Sequence, residues 1–256
     1  MRPRTVLKLT VQYDGTRFCG WQNQPEGCGV QDALEKAFLS LLNEAVTVHG
    51  SGRTDAGVHA TGQTATIDRI AERFTPETWR MALNAHLPQS VRVAKVQAMP
   101  EGFHARFSAV GKTYEYRIWN DRVMHPLEHQ RAWHHPKPLD PATLLQATQI
   151  LTGTHDFAAF AANRGYPETD TIRTIHKIRI QPRGALISLQ FSGTGFLYRM
   201  VRLLTGAIAR TASGSESVEW LKSFLQTPLA AKCQYCAPPE GLYLRRVHYP
   251  RRQTRK

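Results

Sequence analysis

The residues with the clearest chemical potential lie in one stretch, His49-Gly-Ser-Gly-Arg-Thr-Asp-Ala-Gly-Val-His59, which sets one Arg and one Asp among three glycines. Glycine lets a backbone turn sharply and approach a ligand closely. A phosphate-cradling loop would need a Gly-Lys-Ser/Thr ending and an immediate helix, and this stretch has neither. A metal set of His49, Asp55 and His59 is chemically allowed, but no further His or carboxylate adjoins it. An ionised Asp55 can instead serve as nucleophile or base while Arg53 offsets its charge. The plainer alternative is a turn that Asp55 caps and Arg53 decorates. A simple turn, however, does not demand the whole eleven-residue string.

Three further groups invite a role. Tyr114 sits in an extended run, where an aromatic reads first as part of the core. Arg202 stands among Met200, Val201, Leu203 and Leu204, and an Arg with apolar neighbours usually has a carboxylate partner; the alternative is a side chain that snorkels to solvent. Trp133-His134-His135 looks like a cluster, but adjacent histidines on a strand point to opposite faces, so they read as surface or RNA-contacting groups. Cysteines at 19, 28, 233 and 236 are too sparse for a disulfide framework. Cys233-Gln-Tyr-Cys236 has the spacing of half a zinc site, yet the other two are separated by eight residues, so all four are expected to be incidental thiols.

These residues need elements to position them. Thr5 to Gln12 alternates and stops at Asp14-Gly15, which predicts a strand. Val30, Ala33, Leu34, Ala37, Phe38, Leu41 and Leu42 form the stripe of a helix with one buried face. Strands are expected at 46–49, 63–67 and 91–96, with a helix from the Thr75-Pro76 cap to about His86. The second half repeats the order: a strand at 113–119, a helix from Asp140-Pro141 to about Leu151, strands at 172–180 and 186–191, helices at 196–212 and 218–226, and a closing strand at 241–248. The fold class expected is α+β, with two ferredoxin-like or RNA-recognition-like βαββαβ halves, largely antiparallel sheets and an active-site cleft between them. The domains are read as 1–108, carrying the Asp55 loop, and 109–249, followed by a basic tail at 250–256.

Composition bounds the function. The chain has 256 residues, 41% hydrophobic and 21% charged, which excludes disorder or a fibre as a whole-chain description. No apolar run approaches the length of a membrane span, and Lys8 interrupts the first one, so a soluble cytoplasmic protein with no membrane role is expected. The net charge is +13, and residues 195–256 hold eleven Lys or Arg against three Glu. A polyanionic partner is the leading explanation for such an excess.

Gly52-Arg53-Thr54-Asp55-Ala56-Gly57-Val58-His59 resembles the signature of the tRNA pseudouridine synthase A family. The likeness extends in order through Tyr13-Asp14-Gly15-Thr16, Gly20-Trp21-Gln22, Phe103-His-Ala-Arg-Phe-Ser108, Lys112-Thr-Tyr-Glu-Tyr116, Gly195 to Arg202, and Ala237 to Leu244. The resemblance implies an isomerase that converts uridine to pseudouridine in the anticodon arm of tRNA, at positions 38 to 40. It needs no cofactor and no metal, and works as a homodimer. It places Asp55 on the catalytic aspartate, Tyr114 on the tyrosine that packs against the target base, and Arg202 on the arginine that pairs with the aspartate. Arg53 falls on the arginine associated with turning the base out of the stack.

A non-catalytic RNA-binding protein would explain the charge and the topology, but it leaves Asp55 idle and lacks the exposed Gly-Phe-Gly-Phe-type strand motif. A metal-dependent nuclease would need an acidic cluster near Asp55, and Asp14 and Asp68 do not have metal-binding spacing.

Overall fold

Every second residue of β1 (Thr5–Tyr13) from Leu7 to Tyr13 is buried, as a strand with one covered face requires. The computed structural model to which this strand belongs describes residues 5–67, 74–163, 165 and 169–250. Its fold is mixed α+β, and its contacts divide the chain into two compact units, one running to Val110 and resuming at Tyr243, the other Gly111–Leu242.

In the first unit, α1 (Val30–Leu42) turns Val30, Leu34, Ala37 and Phe38 inward, the stripe its spacing predicts. The Asp32 carboxylate accepts the Gly29 N–H at 2.9 Å and so fixes the start of the helix. Two short strands follow, β2 (Val48–Gly50) and β3 (His59–Ile67). α2 (Pro76–His86) opens as expected, with the Thr75 hydroxyl accepting the Thr78 N–H at 3.1 Å and Pro76 in the first turn. Its Trp79 lies 5.7 Å from Phe38 and joins the two helices. β4 (Val91–Pro100) pairs antiparallel with β1, β1 with β3, and β2 with the free edge of β3, giving the order β4-β1-β3-β2. That is the split βαβ order.

The second unit contains β5 (Gly111–Trp119), β6 (Trp133–His134), α3 (Pro141–Ile150), β7 (Gly153–Asp156), β8 (Ile172–Arg183), β9 (Leu186–Gly193), α4 (Met200–Ala212) and α5 (Val218–Gln226). Its sheet runs β5-β9-β8-β7 with antiparallel neighbours, and β6 lies parallel to β5. Phe157, Phe160, Phe191, Leu204 and Ile208 are fully buried in its core.

Three features differ from the sequence reading. β6 and β7 were not expected; at two and four residues they are too short for periodicity to register. α4 begins at Met200 rather than near Phe196, because Arg199 takes a left-handed conformation (φ 57°) and residues before it form a turn, closed by the Met200 N–H to the Leu197 carbonyl at 3.1 Å. The closing strand, β10 (Leu242–His248), was read at the end of the second half, yet it pairs parallel with β3 through Tyr243–His59 and Leu244–Ala60. That pairing is set by distant residues and leaves no trace in local alternation. Among the described residues, no helix is long and apolar enough to cross a membrane. The basic run Arg251 to Lys256 lies outside the described residues.

Candidate active site

Asp55 stands on the loop from β2 to β3, half-buried, with Arg53 exposed two residues before it. The loop rests on a buried polar floor. Ser51 Oγ donates to Gln63 Oε1 at 2.8 Å, and Gln63 Nε2 donates to the Gly52 carbonyl at 2.9 Å. Gln63 Oε1 also accepts the Thr64 N–H at 3.1 Å, so the amide is held from both ends. Tyr13 Oη and Thr54 Oγ1 share a hydrogen bond at 2.8 Å. Ser51, Thr54, Gln63 and Tyr13 are all buried, and a buried polar group left without a partner costs about 1–3 kcal/mol. Burial pushes the Tyr13 phenol well above its usual pKa, outweighing the hydrogen bonds from Thr54 and Gln63 that act the other way, so its hydroxyl keeps its proton.

A second loop clasps the first. The Trp21 N–H donates to the Thr54 carbonyl at 3.1 Å, and the Gly57 N–H to the Phe18 carbonyl at 3.4 Å. Gly20, between them, has φ 107° and lies against the Thr54 carbonyl, so a side chain there meets both strain and a clash. Cys19 and Cys28, expected to be incidental thiols, form a disulfide that closes this loop. The chain doubles back at its base, where the Cys19 N–H bonds the Cys28 carbonyl at 3.0 Å, and that brings the two side chains together. Cys233 and Cys236 are not disulfide-bonded; burial raises the Cys233 thiol to about 11.

Two of the three residues weighed as a metal set, His49 and His59, have separate partners. The ring of His49 lies 5.3 Å from that of His104. His59 Nδ1 accepts the Gly15 N–H at 3.0 Å and is 3.2 Å from Asp14 Oδ1, while its ring stacks on Tyr243 at 4.7 Å. Among the described residues, no group of three His, Cys, Asp or Glu is arranged to hold a metal ion.

Tyr114 and Arg202 belong to the second unit. Tyr114, on β5, is 8% exposed and meets Phe196 edge-on at 5.1 Å, so most of the ring is enclosed, as either reading of it allows. Arg202 lies in the first turn of α4, half-buried. Its Nε donates to the Ala237 carbonyl at 2.8 Å, and the Ala237 N–H donates back to the Arg202 carbonyl at 3.1 Å. That reciprocal pair fixes the guanidinium against the segment following Cys236. His134 and His135 each bond a nearby carbonyl, of Asp121 and Lys137.

Of the floor residues, Ser51, Thr54 and Tyr13 fall in stretches the sequence singles out, whereas Gln63 does not. Gln63 falls in a run of alternating small and β-branched residues, where a polar side chain is ordinarily assigned to solvent; only its place opposite the glycine loop gives it a role.

Comparison with known proteins identifies the family. A family profile described as tRNA pseudouridine synthase matches residues 9–108 and 147–250. The chain is 46% identical over 253 residues to the tRNA pseudouridine synthase A of Akkermansia muciniphila, covering 96% of each protein. It is 43% identical over 243 residues to that of Methylacidiphilum infernorum, covering 95% of each. Against the Pseudomonas aeruginosa protein of the same name the identity is 40% over 247 residues, covering 95% of this chain and 85% of that one. Both stretches matched by the profile carry the groups described above, Asp55 in the first and Arg202 in the second, and the chain belongs to the tRNA pseudouridine synthase family.

Proposed function

We propose that this tRNA pseudouridine synthase acts on uridines 38 to 40 of the anticodon arm, with Asp55 as its essential carboxylate. The isomerisation breaks the bond from C1′ to N1, turns the detached uracil, and joins C1′ to C5; the proton leaves C5 and N1 gains one. No oxidant, reductant or transferred group is required, so the reaction needs no redox or group-carrying cofactor, and we assign it no metal. Asp55 attacks C1′ or the base, or takes the proton, and all three routes require a carboxylate held in a fixed place. The observation that carries this reading is the buried floor of Ser51, Gln63, Tyr13 and Thr54 beneath a half-buried carboxylate. Such a floor holds in place the loop that carries Asp55.

Arg53 turns the target uridine out of its stack, Tyr114 packs against the base, and Arg202 pairs with the carboxylate. Flipping a base costs a few kcal/mol, which stacking and phosphate contacts offset. The working form is a cytoplasmic homodimer, and the basic run Arg251 to Lys256 adds tRNA affinity without sequence preference.

The test is pseudouridine formation in unmodified tRNA transcripts, with chelator present, by the wild type and Asp55→Ala. Product at positions 38 to 40 from the wild type alone, with binding kept in the variant, supports the assignment. Equal binding with no product from either protein would leave a non-catalytic RNA-binding protein as the better description.

A further inference from the structure

The stretch Phe103 to Ser108 has no part in the chemistry above, yet it builds one of the most rigid turns of the first unit around one of its most exposed aromatic rings. Phe107 is 78% exposed. The turn beneath it is closed on every side: His104 N–H donates to Ser108 Oγ at 3.1 Å and Ser108 N–H to the His104 carbonyl at 3.0 Å. His104 Nδ1 accepts the Arg106 N–H at 3.0 Å and the Phe107 N–H at 3.4 Å, which fixes the ring as the tautomer with a bare Nδ1. Two tethers from outside the turn hold Ala105, whose N–H donates to Thr66 Oγ1 at 3.2 Å and whose carbonyl accepts Tyr249 Oη at 2.7 Å.

The rings form a series. His49, at the end of β2 where the Asp55 loop begins, lies 5.3 Å from His104, and His104 lies 4.5 Å from Phe107 at an interplanar angle of 33°. The Arg106 guanidinium is 5.7 Å from the Phe107 ring centre. A large apolar ring held rigidly in water needs an explanation, since burying it would stabilise the chain. Phe107 is flanked in sequence by Arg106 and Ser108, and the Arg106 guanidinium near its ring places a positive charge beside the exposed face. An unpaired base suits them: it has a flat face for the ring and a phosphate for the guanidinium.

We propose that Phe107, backed by His104 and His49 and flanked by Arg106, is a stacking platform for an unpaired nucleotide of the substrate RNA, distinct from the uridine that reacts. This rests on the reading of the chain as an RNA-modifying enzyme. The platform contributes affinity and placement and takes no part in bond making.

The experiment uses the full chain and an unmodified tRNA transcript, comparing the wild type with Phe107→Ala, Phe107→Trp and Arg106→Gln. Stacking on an aromatic side chain corresponds to roughly 5- to 150-fold in affinity for each base. Phe107→Ala is expected to weaken binding and raise KM within that range, the loss falling on KM rather than on the single-turnover rate at saturating RNA, and Phe107→Trp to restore both. A transcript carrying 2-aminopurine at unpaired anticodon-loop positions should show quenching on binding to the wild type that Phe107→Ala abolishes. Unchanged Kd, KM and quenching in Phe107→Ala would overturn the proposal. So would a loss of binding accompanied by a smaller species on size-exclusion chromatography, which would make the ring a contact between copies of this chain. If the wild type forms no pseudouridine but its RNA affinity still depends on an aromatic at 107, the platform stands and the catalytic reading fails.

Discussion

Tyr13 Oη lies 2.8 Å from Thr54 Oγ1, one residue before Asp55, so a strand-borne phenol reaches the loop that carries Asp55. Removing that hydroxyl should disturb the placement of Asp55 more than it disturbs the fold. Tyr13→Phe is expected to remain folded, with unfolding free energy lower by about 1 kcal/mol, the ordinary loss for one hydrogen bond. Turnover on tRNA should fall by about tenfold or more, since small misplacements of a catalytic group are costly. Gln63→Leu takes a partner from both the Gly52 carbonyl and the Ser51 hydroxyl, and its expected loss of stability is about 1–3 kcal/mol for each group left unsatisfied. Urea titrations beside steady-state rates separate the two effects. Unaltered turnover in Tyr13→Phe would show that the floor does not control Asp55.

The disulfide from Cys19 to Cys28 closes a loop whose Gly20 and Trp21 backbone lies on Thr54. With a sequence separation of nine, the chain-entropy relation gives about 2–3 kcal/mol of stabilisation, most of it through restriction of the unfolded chain. Cys28→Ser should therefore unfold at lower urea than the wild type under non-reducing conditions, and the two should converge in excess dithiothreitol. A wild type whose midpoint ignores dithiothreitol would show that the bond contributes nothing to stability.

How much of this was legible beforehand depends on the range of the interactions. α1 and α2 follow from local rules, the 3.6-residue stripe ending at Leu42 and the Thr75-Pro76 cap, and both stand where the sequence places them. Asp55 was legible because glycines and charge crowd into one string. The floor was not, since Gln63 acquires its role from Ser51 and Gly52, twelve and eleven residues away. The partner of β10 is farther still: Tyr243 meets His59 across most of the chain. The disulfide was discounted on cysteine count, while the backbone bond that pairs Cys19 with Cys28 depends on a turn without periodicity. Phe107 was part of a recognised block, but its exposure is a property of the folded turn alone.

Alkaline stability should be limited by buried phenols. Burial pushes Tyr249 up to about 12, against a hydrogen bond with Thr64 that lowers it, while its hydroxyl donates to the Ala105 carbonyl at 2.7 Å. A phenol with a raised folded pKa favours folding fully below its unfolded value, near 10, and that contribution disappears as pH rises toward 12. The urea midpoint is thus expected to hold steady to about pH 9 and then to fall. Tyr249→Phe should flatten part of that decline, leaving the portion due to Tyr13, Tyr116 and the Cys233 thiol, which burial shifts in the same direction. Superimposable profiles for the two proteins would remove Tyr249 as a contributor.

Arg202 supplies the sharpest test of geometry against charge. Its Nε–H to the Ala237 carbonyl and the returning Ala237 N–H tie the guanidinium to the segment after Cys236. A lysine keeps the charge but has no Nε–H at that position and no planar fork, so it cannot hold the same position. Arg202→Lys is accordingly expected to bind tRNA nearly as the wild type does, because the net charge is unchanged and the salt dependence of binding follows the number of cationic contacts. Its single-turnover rate should fall by about 10- to 150-fold, the range for losing a hydrogen bond to a charged group. Arg202→Gln, which loses the charge as well, should be slower again. If Arg202→Lys instead matched the wild-type rate, charge alone would be sufficient at this position, and the bond to Ala237 would serve only to join α4 to the segment after Cys236.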